Sequence, residues 1–281
     1  MKYTLGFSPC PNDTFIFDAL ANKKINTNGI DFDIVLEDVQ TLNSWALQGK
    51  LDFSKISYGV LPLITNNYIL LNSGGALGKG VGPLLITKSM GNEQWTMDNK
   101  VIAIPGENTT AHLLFSLVYP NTKNKKFLIF NQIENAVLNE EVDCGVIIHE
   151  NRFTYQNKGL HKIIDLGEYW EQTTKLPIPL GGIVAHKKIN NAISKQVDAL
   201  IKQSVEYAFA NHRHQLTNYV KQHSQEMSEA VMQQHIDLYV NNYSINLGEE
   251  GKKAVLKLIE IFNKTNATAN TESNCFLYNE D

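Results

Sequence analysis

The sequence has few of the features that mark disulfide-stapled or membrane-spanning chains. Its 281 residues include three cysteines, Cys10, Cys144 and Cys275, an odd and widely spaced set that fits reduced thiols better than a disulfide framework. No apolar run approaches the roughly 18 residues that a membrane helix needs. The sequence opens without a basic and apolar leader pattern. We therefore expect a cytoplasmic protein with no membrane partner.

Concentrated positive charge is also missing. The formal net charge is -4, and the only compact basic run covers residues 123–126. A chain of this kind has no general attraction for phosphate backbones, so nucleic acid is not an expected partner. The cysteines and histidines show no metal-site spacing, and we predict neither a metal nor a cofactor.

Apolar residues, by contrast, make up 43% of the chain, enough for a substantial buried core. Their pattern alternates between strands and helices. The first part predicts strands at residues 2–7, 30–36 and 53–58, and helices at residues 14–20 and 39–48, with Asn12 or Asp13 near the N-cap of the first helix. This alternation is typical of an α/β protein.

The pattern restarts near residue 98. Strands are predicted at residues 127–130 and 143–148, on either side of a helix at residues 133–139. Residues 193–239 are almost entirely helical in pattern, and residues 249–263 form a last helix. A polar tail at residues 265–274 is expected to be loosely ordered.

Two apolar runs of similar character, at residues 83–88 and 180–186, separate these blocks. We interpret them as two crossing strands that form a hinge. The sequence then predicts a larger lobe from residues 1–88 and 187–281, with residues 89–186 inserted as a smaller lobe. The functional site is expected in the cleft between the lobes.

Three groups of residues are candidates for chemistry. His149 follows a strand-like apolar run, and open α/β sheets bind ligands at the carboxyl ends of their strands. Thr109 and Thr110 stand at a predicted helix start after a strand, where free N–H groups favour a carboxylate. Lys55 and Ser57 suit an oxygen-rich ligand from the opposite lobe. Without further information, a structural histidine, an ordinary N-cap and a solvated lysine are the simpler interpretations.

Long irregular blocks of the sequence resemble one family, the 1,4-dihydroxy-6-naphthoate synthases of menaquinone biosynthesis. The resemblance runs in order from Leu5 to about Gly251. The matching blocks are GFSPCPNDTFIF (6–17), EDVQTLN (37–43), KISY (55–58), SGGALGKGVGPL (73–84), GENTTA (106–111), IIHENRFTY (147–155), DLG (165–167) and LPIPLG (176–181).

The resemblance implies a type II periplasmic-binding-protein-like fold of two lobes. It also implies a lyase that splits cyclic dehypoxanthine futalosine into 1,4-dihydroxy-6-naphthoate and a sugar fragment. His149 is then the expected general base. The expected substrate contacts, to a small-molecule carboxylate, come from Lys55, Ile56, Ser57, Thr109 and Thr110.

Two alternatives stay open at this point. The related chorismate dehydratase shares the expected fold and the pathway, although the blocks SPCPNDT and IIHE favour the synthase. A solute-binding or sensor protein of the same fold is a different class of function, because this architecture often only binds. An enzyme converts the cyclic futalosine derivative to product, whereas a solute-binding or sensor protein only binds it, so a turnover measurement separates these classes.

Overall fold

The computed structural model describes residues 1–89, 96–224, 228–265 and 275–277. Within these ranges the strands form two sheets. In chain order, the strands are β1 (Lys2–Phe7), β2 (Asp31–Leu36), β3 (Phe53–Ser57), β4 (Tyr68–Leu70), β5 (Ala76–Gly78), β6 (Leu84–Thr87), β7 (Ile102–Ile104), β8 (Lys125–Phe127), β9 (Cys144–Ile147), β10 (His161–Asp165) and β11 (Ile178–His186).

Helices pack against both sheets. In chain order, they are α1 (Pro11–Ala21), α2 (Val39–Leu47), α3 (Leu61–Ile64), α4 (Thr110–Val118), α5 (Ile133–Leu138), α6 (Asn151–Thr154), α7 (Leu166–Thr174), α8 (Asn191–His212), α9 (Asn218–His223), α10 (Glu229–Tyr239), α11 (Asn242–Ile245) and α12 (Gly248–Thr265). In the described part of the chain, no helix is both long enough and apolar enough to cross a bilayer.

The first sheet has the order β2-β1-β3-β11-β4, and β5 also pairs with β11. Here β1 runs parallel to β2 and β3, whereas β11 is antiparallel to its neighbours. The second sheet has the order β10-β6-β9-β7-β8, with β7 parallel to β8 and β9. We call each sheet with its packed helices the first lobe and the second lobe.

The core is continuous between the lobes. One cluster of buried apolar side chains includes Tyr58 and Leu70 from the first lobe, and Ile102, Phe115 and Trp170 from the second. A separate cluster joins α1 to the long helix α8 beneath the first sheet. Because side chains of both lobes pack in this one cluster, the two walls of the cleft keep a fixed position relative to each other.

Strand β3 differs from an ordinary core strand. All five of its residues are buried, and they include Lys55 and Ser57. Lysine is almost never fully buried unless it is paired. The buried polar side chains of β3 therefore need partners inside the protein.

The two runs interpreted as hinge strands lie in different sheets. β6 pairs with β9 and β10 in the second lobe, so residues 84–87 lie beyond the lobe boundary predicted at residue 88. β11 belongs to the first sheet, although the prediction assigned residues 178–186 to the inserted lobe. Both runs are apolar and buried, so their periodicity carries no information about which sheet they join.

The chain therefore crosses between the lobes just before β6 and just before β11. The first crossing packs against the start of α7 in the second lobe, because a Cβ on Gly82 would lie 2.2 Å from the Cα of Gly167. Arg152 joins the first crossing to the end of β10. Its guanidinium donates to the carbonyls of Gly80 and Gly82 and forms a 2.8 Å ion pair with Asp165. One arginine therefore fixes the first crossing against the second lobe.

Other local predictions had mixed outcomes. The strand predicted at residues 127–130 is instead β8, followed by a 3-10 turn at Phe130–Gln132. The helical region predicted at residues 193–239 divides into α8, α9 and α10. The tail predicted to be loosely ordered covers residues 265–274. Thr265 is the last residue of α12, and residues 266–274 lie outside the described residues.

Candidate active site

A cavity of about 680 Å³ lies between the two lobes. That space includes open solvent at the mouth of the cleft. The structure brings all six residues selected from the sequence to its lining, namely His149, Lys55, Ile56, Ser57, Thr109 and Thr110. They come from β3, from the start of α4 and from the loop after β9.

The first-lobe wall is built around a buried ion pair. Lys55 Nζ lies 3.0 Å from Asp13 Oδ1, and both side chains are at most 6% exposed. Lys55 also donates to the carbonyl of Gly74 at 3.0 Å. Two of its three N–H donors are thus committed to the protein, which leaves one for a ligand.

Asp13 lies in the first turn of α1 but does not cap the helix. The N-cap of α1 is Cys10, with Pro11 as the first helical residue, and no side chain caps the helix. The Asp13 carboxylate instead accepts from the backbone N–H and hydroxyl of Ser8, from Asn12 and from Lys55. The prediction placed Asn12 or Asp13 near the N-cap, and both lie in the first turn of α1, because Pro11 suits the first helical position and the helix starts three residues before the predicted residue 14.

Ser57 is held by Asn43 of α2. Asn43 accepts from the Ser57 backbone N–H at 2.9 Å and donates to its hydroxyl oxygen at 3.1 Å. A hydroxyl has one proton and two lone pairs, so Ser57 can still donate to a ligand. Asn43 is fully buried and also donates to the Asn108 carbonyl of the second lobe, which joins the two walls.

Thr109 and Thr110 lie at the start of α4, as the sequence predicts. Thr109 is the N-cap of α4. Its hydroxyl accepts a hydrogen bond from the His112 backbone N–H and donates one to the Gly106 carbonyl. The Thr110 hydroxyl donates to the Leu180 carbonyl and accepts from the Gly59 N–H. Both hydroxyl protons therefore have protein partners, and the groups available to a carboxylate are the first backbone N–H groups of α4.

The lobes touch at this helix start. A Cβ on Gly59 would lie 2.6 Å from the carbonyl carbon and oxygen of Thr109, a distance that no real side chain tolerates. Glycine at position 59 therefore permits the first-lobe loop to pack directly on the second lobe. Together with the Thr110 bonds, this contact closes one side of the cavity.

His149 follows β9 in the left-handed region, with φ of 57°. Its ring makes an edge contact with Phe130 at 4.9 Å between centroids. Glu150 is the next residue, 6% exposed, and one of its oxygens lies within 4.8 Å of a His149 ring nitrogen. A non-glycine residue with this backbone angle is uncommon and often marks a functional position.

Burial lowers the pKa of His149 below its ordinary value, and the negative charge of Glu150 partly opposes this shift. Desolvation disfavours the charged form of an imidazole. The ring is therefore neutral at pH 7 and has a basic lone pair. An imidazole of this kind at the edge of a cavity can accept a proton from a bound molecule.

A second histidine lies behind the first. His235 of α10 is fully buried, with its ring centroid 5.9 Å from that of His149, and neither ring nitrogen has a partner among the described residues. Burial, followed by the proximity of His149, lowers its pKa well below the ordinary value. His235 is thus a neutral neighbour that adds no positive charge to the site.

Comparison with known proteins identifies the family. A family model described as menaquinone biosynthesis matches residues 3–264. The chain belongs to this menaquinone biosynthesis family. A relative named 1,4-dihydroxy-6-naphtoate synthase, from Thermus thermophilus, is 43% identical over 254 residues, which cover 90% of this chain and 91% of the relative.

Solved structures show which fold this member of the menaquinone biosynthesis family has. A crystal structure of a protein from Archaeoglobus fulgidus has a TM-score of 0.87 at 29% identity, covering 95% of this chain and 98% of that one. The periplasmic aliphatic sulphonate-binding protein of Escherichia coli has a TM-score of 0.67 at 10% identity, covering 97% and 95%. The predicted periplasmic-binding-protein-like α/β fold is confirmed.

Sequence reasoning missed three residues that shape this site, Asp13, Asn43 and His235. Asp13 was interpreted as a helix cap, which is the commonest role for aspartate near a helix start. Asn43 and His235 lie inside helices, and their partners are distant in sequence. Polar residues on the buried face of an amphipathic helix are the one signal that points to them.

Proposed function

We propose that this chain is a 1,4-dihydroxy-6-naphthoate synthase, a lyase that acts on cyclic dehypoxanthine futalosine. Its membership in the menaquinone biosynthesis family and the name of its 43% identical relative support this activity. The observation that carries the chemical part of the proposal is the neutral, cavity-lining His149. A protein that only binds a solute has no need of such a base.

His149 acts as the general base. It removes a carbon-bound proton from the bound substrate, and the resulting electron pair drives cleavage of the bond between the sugar and the new ring. The six-membered ring becomes aromatic as the sugar fragment leaves. Glu150 stabilises the imidazolium that forms, because its carboxylate lies within 4.8 Å of the ring.

The start of α4 binds the substrate carboxylate. The backbone N–H groups of Thr110 and Ala111 lie at the positive end of the helix dipole, and both residues line the cavity. Thr109 and Thr110 act mainly by fixing this helix start against Gly106, Gly59 and Leu180. The anion site therefore consists of backbone groups that the threonine side chains position.

The first-lobe wall binds the oxygen-rich part of the substrate. Lys55 and Ser57 each keep one donor for it, and Ile56 contributes apolar contact. These donors are held before the substrate arrives, so little reorganisation accompanies the reaction. Contact between the lobes at Gly59 and Thr109 closes one side of the cavity that holds the base.

The direct test is turnover. Purified protein is incubated with cyclic dehypoxanthine futalosine, and release of 1,4-dihydroxy-6-naphthoate is followed by chromatography. Binding without turnover would favour a solute-binding or sensor protein. Dehydration of chorismate without cleavage of the futalosine derivative would favour the related dehydratase. Formation of the naphthoate, lost in His149→Asn, supports the synthase.

A further inference from the structure

Behind the cavity, the fold brings together three potential metal ligands that are separated in the sequence. They are Cys10 at the start of α1, and His149 and Glu150 after β9. The cysteine sulfur, an imidazole nitrogen and a carboxylate oxygen all lie within 4.8 Å of one another. Cys10 and Glu150 are each 6% exposed, so this cluster is not a solvated surface group.

Glu150 supplies an independent sign that this cluster binds a ligand. Its Oε2 atom is buried and has no hydrogen-bond partner among the described residues. A buried carboxylate oxygen without a donor carries an uncompensated desolvation cost. A cation between Glu150, His149 and Cys10 removes that cost by direct coordination.

The charges of the cluster match a divalent ion. A free cysteine thiol carries a proton at neutral pH. A bound metal ion displaces that proton. One thiolate and one carboxylate then neutralise a charge of +2, and the neighbouring Asp13–Lys55 pair is already neutral as a unit.

Zinc is the ion that this ligand set favours. Thiolate, imidazole and carboxylate are its usual ligands, and open zinc sites use three protein ligands with the fourth position free. Tetrahedral zinc places its ligand atoms about 3.5 Å apart. Rotations that bring the three groups closer by about 1 Å therefore complete the site, and the cavity beside His149 supplies the fourth position.

We propose that Cys10, His149 and Glu150 form a zinc-binding site whose occupation inhibits the enzyme. The sequence predicts no metal site because these ligands have no characteristic spacing, and only the packing of α1 against the loop after β9 joins them. Inhibition follows because zinc occupies the imidazole lone pair that accepts the proton. This second half rests on the proposed function, whereas zinc binding does not.

Binding is tested first, with zinc sulfate and chelator-treated protein in a calorimetric titration. We expect one equivalent of zinc to bind to the wild type and to Cys144→Ser, the matched control in which a buried cysteine of β9 is changed. Cys10→Ser should bind at least tenfold more weakly. Cobalt(II) should give a thiolate-to-metal charge-transfer band in the wild type and in Cys144→Ser, but not in Cys10→Ser.

Absence of stoichiometric binding, or equal affinity in Cys10→Ser, would overturn the site. If Cys10→Ser does not fold, Cys10→Ala replaces it, and the cobalt band of the wild type and Cys144→Ser still reports whether sulfur binds the metal. No band in the wild type would count against the proposal.

Inhibition is tested by turnover with and without one equivalent of zinc. We expect zinc to suppress the wild type at least tenfold and a chelator to restore it, while Cys10→Ser turns over at the wild-type rate and resists zinc. Turnover that is unchanged or raised by bound zinc would refute the inhibitory role. Zinc binding by a wild type that never turns over would refute the proposed function and leave the site standing.

Discussion

Two neighbouring pairs of the cavity lining, Asp13–Lys55 on the first-lobe wall and His149–Glu150 on the second, differ in how completely their charged groups are paired. On the first-lobe wall, Asp13 accepts from Ser8, Asn12 and Lys55, and Lys55 also donates to a carbonyl. On the wall of the second lobe, His149 contacts the aromatic ring of Phe130, and its neighbour Glu150 has a buried oxygen without a partner among the described residues.

The difference separates two tasks. Paired groups are fixed in position at little net cost, which suits the wall that orients a substrate. A base needs the opposite condition, because a lone pair already committed to a donor cannot accept a proton. His149 suits this task because its ring contacts an aromatic side chain rather than a hydrogen-bond donor in the described part of the chain, while the Asp13–Lys55 pair opposite supplies rigidity.

The largest expected effect comes from breaking the paired wall. Asp13→Asn leaves the buried Lys55 charge uncompensated, which should lower the free energy of unfolding by about 3–5 kcal/mol. Urea denaturation measures this loss. Asp33→Asn is the matched control, because its ion pair with Lys2 is more than half exposed and should contribute less than about 1 kcal/mol.

The double variant Asp13→Asn/Lys55→Met sharpens this test. It removes the unpaired charge along with its partner, so it should recover much of the lost stability. An Asp13→Asn single variant as stable as the wild type would contradict the view that the first-lobe wall depends on this pair.

The second effect comes from removing the unpaired base. His149→Asn should retain the fold and bind 1,4-dihydroxy-6-naphthoate, yet lower kcat by about a hundredfold or more, because asparagine cannot accept the proton. Steady-state kinetics and a binding titration measure the two properties. His161→Asn, at an exposed histidine of β10, should keep full turnover. Wild-type turnover by folded His149→Asn would exclude the histidine as base.

A third effect concerns the contact between the walls. Thr110→Val leaves the Gly59 N–H and the Leu180 carbonyl without their shared hydroxyl. The expected loss of unfolding free energy is about 1–3 kcal/mol, accompanied by a higher KM because the helix start is less well positioned. Thr110→Ser keeps the hydroxyl and should stay close to the wild type. Equal KM values for the valine and serine variants would argue against a positioning role.

The comparison of the walls also shows where sequence reasoning succeeds. The end of an apolar strand drew attention to His149, and a strand followed by a hydroxyl residue drew attention to Thr109, but the family resemblance is what made both of them site residues. The structural part of each assignment is local. The same locality gave the bounds of β1 and α2 to within one residue.

The paired wall was harder to predict because its information is non-local. Asn43 acts on Ser57 and on Asn108, and Asp13 acts on Lys55, through contacts that only the folded chain creates. Hydrophobic periodicity reports whether a residue faces inward, not which polar group it meets there. The exchange of β6 and β11 between the predicted lobes has the same origin.

The smallest expected effect is a change of pH dependence at the unpaired wall. The pKa of His149 is lowered by burial, so kcat/KM of the wild type should fall towards acid pH with a midpoint below about 6.5, where the imidazole becomes protonated.

Glu150→Gln removes the negative charge that favours the imidazolium. The pKa of His149 then falls further, and the acid limb should move to lower pH by less than about one unit. Profiles of kcat/KM for both proteins measure the shift, and His149→Asn should lack the limb. A limb that moves to higher pH in Glu150→Gln would show that the carboxylate does not act on this imidazole.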